Sequence, residues 1–157
     1  MSRRLTAWRI TQAAFADTAF SGEGAGRYPG RWNPAGLPLV YTAGSLSLAV
    51  LEMLVHLDAV VLLEHYVTIP VEFGEDECSQ LPLGSLPADW RACPPGAATR
   101  RLGADWARAG LTVALAVPSA VIPQERNYLL NPRHPDFARV IQGSPAPLPL
   151  DRRLWGL

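Results

Sequence analysis

One carboxylate set inside an apolar stretch has the most to explain. Residues Leu46 to Val55 read LSLAVLEMLV; eight of the ten are apolar, and the only charge is Glu52. A helix this apolar buries most of its circumference. An ionised carboxylate there costs free energy unless it is paired or used. The chemistry open to it is that of a general base, or of an anion that stabilises developing positive charge. Ser45, Glu52 and His56 nearly share a helix face, so a single wet stripe explains the same pattern. The nearest candidate partner is Arg31, across a short intervening strand. It lies in the turn Gly30-Arg31-Trp32-Asn33-Pro34, where Gly and Pro let backbone N–H groups approach an anion closely. A guanidinium there could clamp a carboxylate or a pyrophosphate; a solvated loop arginine accounts for it equally well.

Other residues carry weaker signals. Arg9, between Trp8 and Ile10 in a strand, points to the face opposite its neighbours, which is either cleft or solvent. Tyr41, at the end of its strand, either stacks on a planar ligand or fills the core. Ser119 follows Pro118 where a strand is interrupted, and either donates to a ligand or caps the turn. His56, His65 and His134 show no ligand or triad spacing and read as structural. G-x-S-x-G, H-E-x-x-H and the P-loop pattern are all absent from the sequence, and Gly22 to Arg27 does not match the dinucleotide fingerprint. Cys78 and Cys93 form no C-x-x-C pair and have no His cluster beside them, so a metal site is not expected; without an export signal they read as free thiols, with a disulfide between them the open alternative.

The elements that must position these residues follow from pattern and composition. A chain of 157 residues with 48% hydrophobic content suits one compact domain with a sizeable core. Zero formal net charge argues against a phosphate-backbone binder. All 14 basic residues are Arg, as codon bias in a GC-rich genome would produce, while particular positions still serve a site. No run reaches membrane-spanning length, and MSRRLTAWRI lacks the apolar core of a secretory signal, so a cytoplasmic protein is expected. Strands are predicted at Leu5–Thr11, Pro38–Thr42, Leu62–Val71, Leu111–Val117, Asn127–Leu130 and in the tail Asp151–Trp155. Pro70 marks an edge or a strand end. Helices are predicted at Leu46–Leu57, capped by Ser45, and at Ala97–Ala109, stopped by Gly110, with a helical turn in His134–Val140. Ala16–Gly30 reads as irregular and Glu72–Gly96 as a long surface loop. Short strands with a few helices, lacking βαβ alternation, favour a mixed α+β domain.

Taken in order, W-R-I at Trp8, G-R-W-N-P at Gly30, L-V-Y-T-A at Leu39, S-L-A-x-L-E ending at Glu52, V-P-S-A-V-I-P at Val117, N-Y-L-L-N-P at Asn127 and D-x-R-L-W at Asp151 form a specific set. This set resembles the RES-domain family, the toxins of RES–Xre type II toxin–antitoxin modules. The family name records an Arg, a Glu and a Ser, which match Arg31, Glu52 and Ser119. The resemblance spans nearly all of 1–157 as a single domain and is weakest over Glu72–Gly96. It implies a fold similar to ADP-ribosyltransferases, with a mixed sheet core and flanking helices. It also implies NAD+ as substrate, no metal, and cleavage of the nicotinamide–ribose bond. The acceptor is left open among water, phosphate and a protein.

On that resemblance, Glu52 would stabilise the oxocarbenium-like ribose and orient the nucleophile. Arg31 and Arg9 would clamp the phosphates, Tyr41 would pack against nicotinamide or ribose, and Ser119 and Asn127 would hydrogen-bond in the same cleft. The implied partner is an antitoxin with an Xre-like DNA-binding region that blocks the cleft in a hetero-oligomer. The toxin itself would contact neither nucleic acid nor membrane. A catalytically silent NAD-binding or interaction module on the same fold is the competing class; intact Arg31, Tyr41 and Glu52 weigh against it.

Overall fold

The computed structural model describes residues 2–57 and 65–154. An eight-stranded mixed sheet carries the domain: β1 (Arg4–Gln12), β2 (Val40–Ala43), β3 (Tyr66–Gly74), β4 (Cys78–Gln80), β5 (Ala114–Pro118), β6 (Arg126–Leu130), β7 (Ile141–Gln142) and β8 (Ala146–Pro147). The order is β4-β5-β6-β2-β1-β3-β7, with β8 beside β7 on the outer edge of β3. The pairings are antiparallel apart from β4 against β5. Among the described residues three α-helices, α1 (Glu23–Arg27), α2 (Leu46–Leu54) and α3 (Ala97–Ala109), connect the strands.

Side-chain alternation along the strands divides the core between two faces. On β2, Tyr41 and Ala43 point to one face and Val40 to the other. Ala43 packs with Leu48 and Ala49 of α2 and with Trp8 and Ile10 of β1. Tyr41 packs with Trp32, Leu115, Val117 and Leu129 below Leu102 and Trp106 of α3. Val40 joins Ala7, Ile69, Val71, Phe73 and Leu130 on the opposite face. The two longer helices therefore cover one face of the sheet, and β5, buried along its whole length, is a central strand with a continuous apolar run.

Most predicted elements are present with shifted ends. α2 starts where Ser45 caps it, the Leu48 N–H donating to Ser45 Oγ at 3.1 Å, but it stops at Leu54 rather than Leu57. α3 matches its predicted span and ends on Gly110 at φ +64°, a left-handed conformation that suits glycine. The strand predicted over Leu62–Val71 starts at Tyr66 and continues to Gly74; residues 62–64 lie outside the described residues. Pro70 sits inside β3, opposite Trp8. On its other side the neighbouring chain is split between β7, facing Val71 and Glu72, and β8, facing Val67 and Thr68. The missing N–H thus falls at a break in the ladder.

The expected loop Glu72–Gly96 contains the end of β3 and all of β4, a strand of three residues too short to show alternation. The expected tail strand is instead a 3-10 turn at Arg152–Leu154, with Trp155 outside the described residues. The Asp151 side chain accepts the Arg153 N–H at 2.9 Å, a local bond that competes with strand pairing.

Candidate functional site

Glu52 projects from the last turn of α2 toward the β5–β6 connection. Its Oε1 accepts from Ser119 Oγ at 2.6 Å and from Asn127 Nδ2 at 2.7 Å. Ser119 follows β5 and is fully buried. Its Oγ also accepts the backbone N–H groups of Val121 at 3.1 Å and Ile122 at 3.0 Å. With both lone pairs used, its one hydroxyl proton goes to Glu52. Asn127, in β6 opposite Ala43, has its amide oriented by the carboxylate, since the flipped rotamer would set oxygen against oxygen. Its Oδ1 is buried without a partner among the described residues. Glu52 Oε2 receives no donor among the described residues.

The turn carrying Arg31 is built on Asn33, which is 0% exposed. The Asn33 amide nitrogen donates to the carbonyls of Ala25, Pro34 and Leu37, and its Oδ1 accepts from the Gly30 N–H. Tyr41 completes this hub: its hydroxyl donates to Asn33 Oδ1 at 2.6 Å and accepts the Trp32 N–H at 3.1 Å. Burial pushes the Tyr41 phenol well above its ordinary pKa, despite the Trp32 N–H and the Arg100 and Arg31 guanidiniums. It therefore stays protonated at neutral pH.

Arg31 does not pair with Glu52. Its Nη1 donates to the carbonyls of Trp90 at 2.6 Å and Ala92 at 2.8 Å. Arg9 leaves β1 on the face opposite Trp8 and Ile10. Its Nε donates to the Ala19 carbonyl at 3.2 Å and its Nη1 to the Tyr41 carbonyl at 3.4 Å. Burial lowers the Arg9 pKa from its ordinary value.

The six candidates thus fall into groups. Glu52, Ser119 and Asn127 touch. Arg31 and Tyr41 gather at the Gly30–Asn33 turn, and Arg9 reaches the Tyr41 main chain from the other face. Two arginines escaped the sequence reading. Arg100, in the first turns of α3, donates from Nε to the Gly30 carbonyl at 3.0 Å. Arg91 donates from Nε to the Ala120 carbonyl at 2.9 Å. Neither has a motif to betray it, because their partners are main-chain carbonyls. Asn33 lies within the Gly30-Arg31-Trp32-Asn33-Pro34 turn, and an Asn between Trp and Pro in an apolar setting is the available signal.

His134 accepts the Asp136 N–H on Nδ1 at 3.0 Å, so Nε2 donates to the Gly110 carbonyl at 2.9 Å, a tie between α3 and the next turn. Cys78 and Cys93 are unpaired, and burial pushes the Cys78 thiol up to about 11. Among the described residues no group of three His, Cys, Asp or Glu is placed to hold a metal ion, and no helix is long and apolar enough to cross a membrane. Chemically, the site offers one oriented carboxylate beside a hydroxyl and an amide, with the Arg91 guanidinium bonded to the residue after Ser119.

The RES domain family model matches residues 6–151. Over 134 residues the chain is 40% identical to a protein named Toxin Res from Photorhabdus laumondii, covering 85% of this chain and 86% of that protein. It is 38% identical over 134 residues to a protein of Sphingobium named Prs ADP-ribosylating toxin, covering 82% and 83%. In structure it is similar to a chain in the crystal structure of the M. tuberculosis MbcT–MbcA toxin–antitoxin complex. The TM-score is 0.73 at 20% identity, covering 94% of this chain and 86% of that one. At that identity the likeness is one of fold.

Proposed function

The chain belongs to the RES-domain family, and from that premise we propose that it is the toxin of a toxin–antitoxin pair and cleaves the nicotinamide–ribose bond of NAD+. The observation that carries this reading is Glu52: a carboxylate on a largely apolar helix, held by Ser119 and Asn127 through one oxygen. Nicotinamide leaves with the bonding pair, which neutralises its ring and puts positive charge on the ribose, as in glycoside cleavage. A fixed carboxylate beside that carbon stabilises the charge where it develops. Since Oε1 is committed, Oε2 is the oxygen that holds a ribose hydroxyl or orients the incoming nucleophile. Arg31 supplies donors for the phosphates, while Arg9, from the other face, adds its positive charge and braces the Tyr41 main chain. Tyr41 fixes the turn that aims Arg31 and offers its ring edge to the nicotinamide ribose. NAD+ is the substrate, and no metal is called for in this scheme.

The names of the relatives support a toxin, and one of them supports transfer of ADP-ribose to a protein. An antitoxin with an Xre-like DNA-binding region would cover the cleft in a hetero-oligomer, in the cytoplasm. The test is NAD+ consumption by the purified chain, freed of antitoxin, with and without phosphate, beside Glu52→Gln. Gln keeps the size and one acceptor oxygen and loses the charge, so the fold should hold while turnover falls about 10²–10³-fold. A Gln variant as fast as the parent would refute the assignment. Phosphate dependence separates phosphorolysis from hydrolysis, and an ADP-ribose adduct seen by mass spectrometry identifies a protein acceptor.

A further inference from the structure

The segment Trp90–Ala92 crosses between the two halves of the site. The carbonyls on either side of Arg91, those of Trp90 and Ala92, both accept from Arg31 Nη1. The Arg91 side chain runs the other way, to the carbonyl of Ala120, the residue after the Ser119 that holds Glu52. Trp90 packs against the cluster around Trp32, which anchors the strap from beneath.

The strap therefore ties Arg31 at one side to Arg91 at the other, next to the residue that holds Glu52; neither they nor Arg100, bonded to the Gly30 carbonyl, form an ion pair with an Asp or Glu among the described residues. Their bonds go to neutral carbonyls. Arg91 spends only Nε; its Nη1 and Nη2 have no acceptor among the described residues, and the residue is exposed. A guanidinium fixed at one nitrogen and open at two presents the fork that binds phosphate oxygens in pairs.

We propose that Arg91 is a substrate-binding residue that grips the diphosphate of the dinucleotide together with Arg31, the strap setting the distance from that grip to Glu52. This rests on the NAD+ reading for the identity of the ligand, but the anion site itself can be tested apart from it. Inorganic pyrophosphate is titrated calorimetrically into the full chain, Arg91→Gln, Arg91→Lys and, as a remote control, Arg108→Ala; NAD+ turnover is followed in parallel. Losing one charged fork should weaken pyrophosphate about tenfold in Arg91→Gln and raise KM for NAD+ by a similar factor, with kcat within about threefold. Arg91→Lys, which keeps the charge and loses the fork, should lie between that variant and the parent, and Arg108→Ala should match the parent. Parent-like pyrophosphate binding by Arg91→Gln would overturn the proposal. So would a lysine variant no better than the glutamine one, because a mere strut gains nothing from charge. If the parent chain leaves NAD+ intact, the reaction reading falls while the pyrophosphate series still decides on Arg91.

Discussion

Ser119 gives its only proton to Glu52 because two backbone N–H groups occupy its lone pairs. The same side chain thus holds a turn and aims a carboxylate, and a nucleophilic role for it would break both. Ser119→Ala removes one donor from Glu52 and strands the Val121 and Ile122 N–H groups. A buried group left without its partner costs about 1–3 kcal/mol, so the urea midpoint should drop accordingly. Turnover should fall less than in Glu52→Gln, since the charge remains and Asn127 still holds it. Unchanged stability would mean that the turn does not depend on the hydroxyl. Glu52 itself was legible in the sequence, because a lone charge in an apolar helix breaks its pattern. Its partners were not legible as partners: Ser119 and Asn127 stand 67 and 75 positions away, and nothing in spacing announces such a contact. Arg31 was legible as a residue of interest but its bond was not, since a guanidinium that binds carbonyls leaves no complementary residue type to find.

At the scale of the element, α3 is held against the Arg31 turn through Gly103. A Cβ there would run into the carbonyl of Trp32. Two effects oppose each other in Gly103→Ala. Alanine favours a helix interior over glycine by about 1 kcal/mol, while forcing an extra carbon into a filled contact costs about 1–3 kcal/mol or more. The clash is with backbone, which cannot rotate away, so it should win. The variant is expected to unfold at lower denaturant than the parent and to lose turnover as Trp32 shifts its neighbour Arg31; a stabilised variant would show that the helix can slide freely. The extent of α3 was readable from its amphipathic spacing and Gly110. β4 was not, because three residues carry no period and its pairing is made by β5, more than thirty positions on.

In the molecule as a whole, the outer edge of β3 is shielded, among the described residues, only by β7 and β8, two residues each. Removing everything after Val140 would leave that long strand with an unpaired edge, a template for association. The truncated chain is expected to run as larger species than the full chain in size-exclusion chromatography, and an unchanged elution volume would show that the edge is protected by other means. The sheet order has a further consequence in time. β2 lies between β1 and β6, and Glu52, just after β2, meets Asn127 only across 75 positions of sequence. A ribosome adding about 5–20 residues per second needs roughly 4–15 s to cover that interval. For the first 67 of those positions the nascent chain carries a carboxylate with neither of its anchors made. On the function proposed above, a product that stalls before Ser119 has no donor to aim its carboxylate, and that interval is the time open to a partner that would restrain the finished chain.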